Sequence, residues 1–202
     1  MSERRPWEEW WDETAPINFR RHNSAMKKSH ETNKEIVGAV AEVGGSVLDV
    51  GCATGITYEY IKPTGIEYVG VDFTEKFLVW ARELNPEIDV RIGSAFDLPF
   101  PDGSFSTVFC KAVLEHQHPD DYPKIVREMA RVAEKQVIIG FFMAPRGKTT
   151  ILLTKKEGLY ANRYGKKEVV DLIESLDGFK SLRIIEDLGP RKDAVYIVTL
   201  GD

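Results

Sequence analysis

Val47-Leu48-Asp49-Val50-Gly51-Cys52-Ala53-Thr54-Gly55 is the stretch that decides the fold. Val47, Leu48 and Val50 suit a strand covered on both faces. Gly51 and Gly55 then permit a sharp bend and let a ligand approach the backbone closely. A helix is expected over Ile56–Ile61, ending near Pro63. About twenty residues beyond the turn, a second strand, Tyr68-Val69-Gly70-Val71, ends in Asp72. An acid there is placed to accept hydrogen bonds from the two hydroxyls of a ribose. Strand and helix keep alternating through a fifth strand, which predicts a mostly parallel α/β sheet with helices on both faces. In such sheets ligands bind outside the carboxyl ends of the strands.

The turn narrows the choice of ligand. It lacks the Gly-x-Gly-x-x-Gly spacing of dinucleotide sites and the Gly-Lys-Ser/Thr ending of a phosphate loop. Asp49 adds a negative charge that repels a pyrophosphate and suits an ammonium group. A ligand with a ribose, an amino group and no phosphate is S-adenosylmethionine. The stretch resembles the glycine motif of class I S-adenosylmethionine-dependent methyltransferases, in the small-molecule subgroup called type 11. Ala53 stands where many relatives have glycine.

A second match is Gly93-Ser94-Ala95-Phe96-Asp97-Leu98-Pro99-Phe100-Pro101-Asp102-Gly103-Ser104-Phe105. It is similar to the type 11 string Gly-Asp-Ala-x-x-Leu-Pro-Phe-x-Asp-x-Ser-Phe, with Ser94 in place of the usual acid. The resemblance implies that Asp49, Gly51, Cys52, Ala53 and Gly55 hold the amino-acid end of the cofactor and Asp72 the ribose. It implies that Phe73 lies against adenine, and that Ser94, Ala95 and Phe96 read the ring edge. Asp97 either helps there or fixes the loop. A third segment, Lys111-Ala112-Val113-Leu114-Glu115-His116, ends the fourth strand, Ser106–Cys110, and in this family lies beside the cofactor sulfur. His116 is the leading candidate for a general base, since histidine takes a proton near neutral pH; the alternative is that it holds the loop. Lys111 either binds an acidic group, of substrate or cofactor, or reaches solvent.

With 202 residues the chain fits one domain. The resemblance implies a Rossmann-like, seven-stranded sheet of order 3-2-1-4-5-7-6 with the last strand antiparallel. Residues 1–44 would be an N-terminal helical lid, 45–142 the cofactor-binding core, 143–165 a substrate-side insertion and 166–202 a C-terminal helix and strand pair. No apolar run spans a bilayer and no signal peptide is evident, so a cytoplasmic protein without membrane contact is expected. Cys52 and Cys110 fit a reducing compartment and form no metal-site spacing. The net charge of −5 argues against nucleic acid as a partner. Neither acceptor nor oligomeric state is legible.

Along the rest of the chain, Trp7, Trp10 and Trp11 lie among acids. They either dock the first segment or form a lid over the cofactor. Residues 18–29 are polar and basic, a solvated face or a patch for an anionic substrate. A helix over 31–43 is stopped by Gly44-Gly45. Thr74 is placed to cap a helix over 75–84. A short strand, 89–92, then an amphipathic helix, 121–133, and a strand, 136–142, follow. Leu159, Tyr160, Asn162, Arg163 and Tyr164 suit a substrate-facing insertion or a surface hairpin. A helix over 166–176 and strands over 181–185 and 194–200 complete the pattern. The expected product is S-adenosylhomocysteine and the expected partner a small-molecule acceptor. The alternatives are a protein or RNA acceptor, or a cofactor-binding protein without turnover.

Overall fold

The structure, a computed structural model, describes Trp11 and residues 30–154 and 160–201. Expectations for Trp7, Trp10 and residues 18–29 lie outside the described residues. The elements are α1 (His30–Val43), β1 (Ser46–Val50), α2 (Tyr58–Ile61), β2 (Glu67–Asp72), α3 (Glu75–Leu84), β3 (Val90–Ile92), β4 (Phe105–Lys111), α4 (Tyr122–Val132) and β5 (Ala133–Phe141). They continue as β6 (Thr150–Thr154), β7 (Tyr160–Arg163), α5 (Lys166–Glu174), β8 (Phe179–Leu188) and β9 (Asp193–Leu200). Seven strands form one sheet in the order β3-β2-β1-β4-β5-β9-β8, while β6 and β7 pair separately as a hairpin. Counted within the large sheet alone, this is the expected order. Strand β9 runs antiparallel to both neighbours and the pairs from β3 to β5 are parallel.

Alternation along each strand builds two cores. Leu48, Val50, Val69, Val71, Val108 and Ile139 face α4 and α5, whose Ile125, Met129, Val169 and Ile173 are buried against them. Val47, Tyr68, Phe109, Ile138 and Ile197 face the other way, toward Ile36 and Val40 of α1, Ile61 of α2 and Leu78 of α3. Each fully buried aliphatic side chain contributes about 1.5–3 kcal/mol. Asp49, in the middle strand and only 3 % exposed, contributes nothing of that kind. Its place on the α1 face of β1 calls for a partner of opposite charge.

Several boundaries differ from those expected. The helix after the glycine turn is a single turn, Tyr58–Ile61, followed by a 3-10 turn, Lys62–Thr64. Residues 54–57 remain in turns, so the helix expected from Ile56 is too short to bring a helix dipole to the ligand site. Thr74 has the extended backbone of a cap but makes no side-chain cap bond. Strand β5 starts at Ala133 because that residue already pairs with Phe105 across an irregularity. Among the described residues no helix is long and apolar enough to cross a membrane.

Candidate active site

The carboxyl ends of β1, β2 and β4 open into a cavity of about 440 Å³, a size typical of small-molecule sites. Its floor is the turn after β1. Gly51, Ala53 and Gly55 all take left-handed conformations, with φ of 76°, 47° and 76°. Gly51 N and Cys52 N both donate to Val71 O, at 2.8 and 3.0 Å, which locks the turn to β2. A Cβ on Gly51 would lie 2.5 Å from Val113 Cγ2, so glycine is needed for space as well as for φ. Ala53 carries a Cβ in a conformation that costs about 1–2 kcal/mol. It is held there by its own N–H, which donates to Asp72 Oδ2 at 3.0 Å.

Asp72 closes this side. Its second oxygen accepts from Thr74 N at 2.8 Å, which fixes the carboxylate at the cavity wall. Asp49 also lines the cavity and accepts from the Tyr68 hydroxyl at 2.8 Å. Burial pushes its pKa up to about 7, against the lowering effects of Tyr68 and Lys111. Cys52 lies beside it, and burial holds its thiol well above the ordinary range. Phe73, Ser94, Ala95 and Phe96 line the far wall. Ser94 Oγ accepts from Phe96 N at 3.2 Å and so shapes its own loop. Asp97 is exposed, and its backbone N–H bonds Ser94 O.

The other half of the cavity is built on β4 and β5. Lys111 leaves the sheet on the α1 face, where its Nζ donates to Asn33 Oδ1 at 2.5 Å. Gly140 makes this path available: a Cβ there would lie 3.0 Å from Lys111 Cγ and 3.2 Å from Ile36 Cδ1. Burial lowers the Lys111 pKa to about 8, although Asp49 pulls it up. Ala112, next in the chain, is left-handed with φ of 58°. Two non-glycine left-handed residues, Ala53 and Ala112, therefore sit at the cavity, where strain is tolerated for the sake of geometry.

His116 lines the cavity with its Nδ1 2.9 Å from Tyr160 O. A carbonyl only accepts, so Nδ1 is the donor and Nε2 keeps its lone pair. Burial lowers the His116 pKa, which keeps the ring neutral at pH 7. The ring stacks on Phe142 (5.4 Å, 28°) and meets the edge of Trp11 (5.4 Å, 70°). Trp11 also packs against Phe77 and lines the cavity. The β6–β7 hairpin supports this wall from behind. Tyr164 donates to Leu114 O at 2.6 Å, and Asn162 donates to Gln117 O. The aromatic and polar string after Leu159 thus holds the 114–117 turn, and Asn162 and Tyr164 are fully buried.

The structure brings Asp49, Gly51, Cys52, Ala53, Asp72, Phe73, Ser94, Ala95, Phe96, Lys111 and His116 to this cavity wall, with Gly55 in its floor turn, whereas Asp97 and the string after Leu159 do not line it. Sequence reasoning missed Thr32, Asn33, Arg191 and Asp193, and assigned Glu115 no role of its own. Asp193 Oδ2 accepts from Thr32 Oγ1 at 2.9 Å and from Arg191 Nη2 at 2.8 Å. Glu115 is buried behind the wall, where Phe142 N donates to it at 2.7 Å; burial raises its pKa to about 8. The available signal was topological, since Arg191-Lys192-Asp193 leads into β9, which among the described strands of the large sheet starts at the ligand edge. Among the described residues, no three His, Cys, Asp or Glu side chains group to hold a metal ion.

Comparison with known proteins shows what the chain is similar to. Residues 48–141 match a family described as a methyltransferase domain. The demethylmenaquinone methyltransferase of Renibacterium salmoninarum is 31% identical over 124 residues, covering 60% of this chain and 52% of that one. The ubiquinone biosynthesis O-methyltransferase of Thiobacillus denitrificans is 31% identical over 153 residues, covering 71% and 61%. The chain spans about half the length of the curated relatives it matches, 52% for the first of them. Among solved structures, the magnesium protoporphyrin IX methyltransferase of Synechocystis with bound S-adenosylhomocysteine has a TM-score of 0.77 at 17% identity, covering 96% of this chain and 98% of that one. The 1,6-didemethyltoxoflavin-N1-methyltransferase of Burkholderia thailandensis scores 0.73 at 15% identity, covering 100% and 93%. At these identities the structures share the fold.

Proposed function

We propose that this chain, whose residues 48–141 match a family described as a methyltransferase domain, transfers a methyl group from S-adenosylmethionine to a small-molecule acceptor. The observation that carries this reading is Asp72. Two backbone N–H groups, of Ala53 and Thr74, fix its carboxylate at the end of β2, on the cavity it shares with Asp49. The residues fit the cofactor. Asp72 would take the ribose hydroxyls and Asp49, with the Gly51–Ala53 turn, the amino-acid end. Phe73 and the 94–96 loop would take the adenine. The cofactor, when bound, supplies a methyl carbon already activated by a positively charged sulfur.

The chain then has three tasks. The walls exclude water and set the acceptor in line with the methyl carbon. Trp11 and Phe142 flank His116 and give that region an apolar lining. A proton leaving an acceptor O–H or N–H would be taken by His116 Nε2, whose tautomer is set by Tyr160 O. An acceptor without such a proton needs no base.

Calorimetry with S-adenosylmethionine and S-adenosylhomocysteine tests the reading. Asp72→Asn keeps the shape and removes the charge, so binding should weaken by about 1.5–3 kcal/mol, roughly 10- to 150-fold. A folded wild-type protein that binds neither compound overturns the proposal.

A further inference from the structure

The two ends of the cavity are chemically different. The cofactor elements sit at the ends of β1, β2 and β3. Arg191 and Asp193 stand at the start of β9, three strand positions from β1 in the order β1-β4-β5-β9, which is roughly 14 Å across the sheet. That distant end is where an acceptor would lie. Its wall is the stack of His116 on Phe142, with the Arg191 guanidinium 6.0 Å above the Phe142 ring.

The cavity carries two cations, Lys111 at the end of β4 and Arg191 just before β9. Lys111 and Arg191 both line the cavity, and they lie close enough for Arg191 to help lower the Lys111 pKa. Two like charges held together beside an apolar wall are costly unless an anion joins them. Asp193 meets part of that need, but it is fixed in another role. It is 2 % exposed, and its Oδ2 already serves Thr32 and Arg191. Among the described residues Arg191 uses one guanidinium N–H, on Asp193, and its side chain is 37 % exposed. Asp193 thereby orients the guanidinium fork and leaves most of its donors open. Lys111 likewise uses one of three ammonium donors, on Asn33. Once the ammonium of a bound cofactor has met Asp49, Lys111 loses its main counter-charge.

We infer that the methyl acceptor is a planar ring bearing an anionic group such as a carboxylate, with the ring against His116 and Phe142 and the anion on Arg191 and Lys111. This assignment rests on the methyl-transfer reading of the same cavity and names its substrate class. A flat ring suits the Phe142–His116 face and the edge of Trp11. A carboxylate suits the open fork of Arg191. The ring would then lie beside His116, the proton acceptor for a ring hydroxyl or amine.

The test is calorimetric titration of the protein saturated with S-adenosylhomocysteine. The probes are matched aromatic acids and amides, 4-hydroxybenzoate against 4-hydroxybenzamide and 2-naphthoate against 2-naphthamide, with cyclohexanecarboxylate as the non-planar acid. The expected result is that at least one aromatic acid binds about tenfold or more tighter than its amide and than cyclohexanecarboxylate. Arg191→Gln should remove that preference and leave S-adenosylhomocysteine affinity unchanged. Lys111→Met should act in the same direction. If S-adenosylhomocysteine binds but the amides match the acids, or no aromatic acid binds at millimolar concentration, the acceptor assignment is overturned and the methyl-transfer reading stands. A loss of S-adenosylhomocysteine affinity in both variants moves the cations to the cofactor and likewise overturns it. Failure of the wild type to bind S-adenosylhomocysteine removes both.

Discussion

Acid should weaken cofactor binding, and one group should account for the loss. Asp49 is buried on the middle strand and held at about 7 by that burial, so near neutral pH it is half protonated. Its proposed ligand, the cofactor ammonium, binds the carboxylate and not the acid. Binding therefore favours the ionised form and releases a proton wherever the free protein still carries one. For one titrating group the apparent dissociation constant is the limiting value multiplied by one plus the ratio of protonated to ionised Asp49. One pH unit below the pKa that factor is about eleven, and one unit above it is about 1.1. Affinity should thus rise about tenfold between roughly pH 6 and pH 8. Isothermal titration with S-adenosylhomocysteine, repeated in buffers of different ionisation enthalpy, measures both the slope and the proton released. Burial lowers the His116 pKa, away from the upper part of this range. Lys111, held at about 8, provides an internal check. If its ammonium served the cofactor carboxylate, affinity would fall again above pH 8; the acceptor assignment expects no such fall. Asp49→Asn should bind weakly and without slope. A wild-type affinity that is flat across this range, or a slope that survives in Asp49→Asn, refutes the reasoning.

Two further outcomes concern stability. Burial raises the Glu115 pKa from 4.5 to about 8, so the folded state favours its protonated form. That contribution is complete below the unfolded value and is lost as pH rises through about 8. Glu115→Gln mimics the protonated form, so its melting temperature should gain on the wild type as pH rises through this window; a constant difference would contradict the assignment. Gly51→Ala must adopt φ of 76° and place a Cβ 2.5 Å from Val113 Cγ2. The backbone alone costs about 1–2 kcal/mol, and the contact adds to it. Urea unfolding should show a lower midpoint, and an unchanged midpoint would mean that the turn does not press on the 112–113 segment.

The cofactor half of the site was legible because its chemistry is local in the chain. Gly51, Ala53 and Gly55 lie within five residues, and their turn follows directly from the strand before it. Asp72 ends the neighbouring strand in parallel register, with Val50 opposite Val71. A motif reader needs only one strand, one turn and the next strand to place these groups. Ser94 was legible in position and not in partner, since its hydroxyl bonds the Phe96 N–H of its own loop. The helix after the turn was overestimated for a related reason. A helix was expected from Ile56, but Thr57 to Ile61 provides too few residues to build more than one turn before Pro63.

The acceptor half was illegible for a physical reason, and the same reason makes it informative. Thr32 and Asp193 stand 161 residues apart and bond through a single hydroxyl. Asn33, next to Thr32 on α1, meets Lys111 and Gly140, from two further places in the chain, only because α1 crosses the sheet above β4 and β5. No spacing rule spans such distances. Topology does, in part: an antiparallel last strand necessarily starts at the ligand edge, so the residues opening β9 had to be there. Polar residues at that position gain no stability from the core and face the cost of desolvation. Their clustering around Lys111, and the absence of a side chain on Gly140 that lets Lys111 through, make that end of the cavity a place built for a charged visitor. On the proposed reading the cofactor motif sets what is transferred, and Lys111 and Arg191 select what receives it.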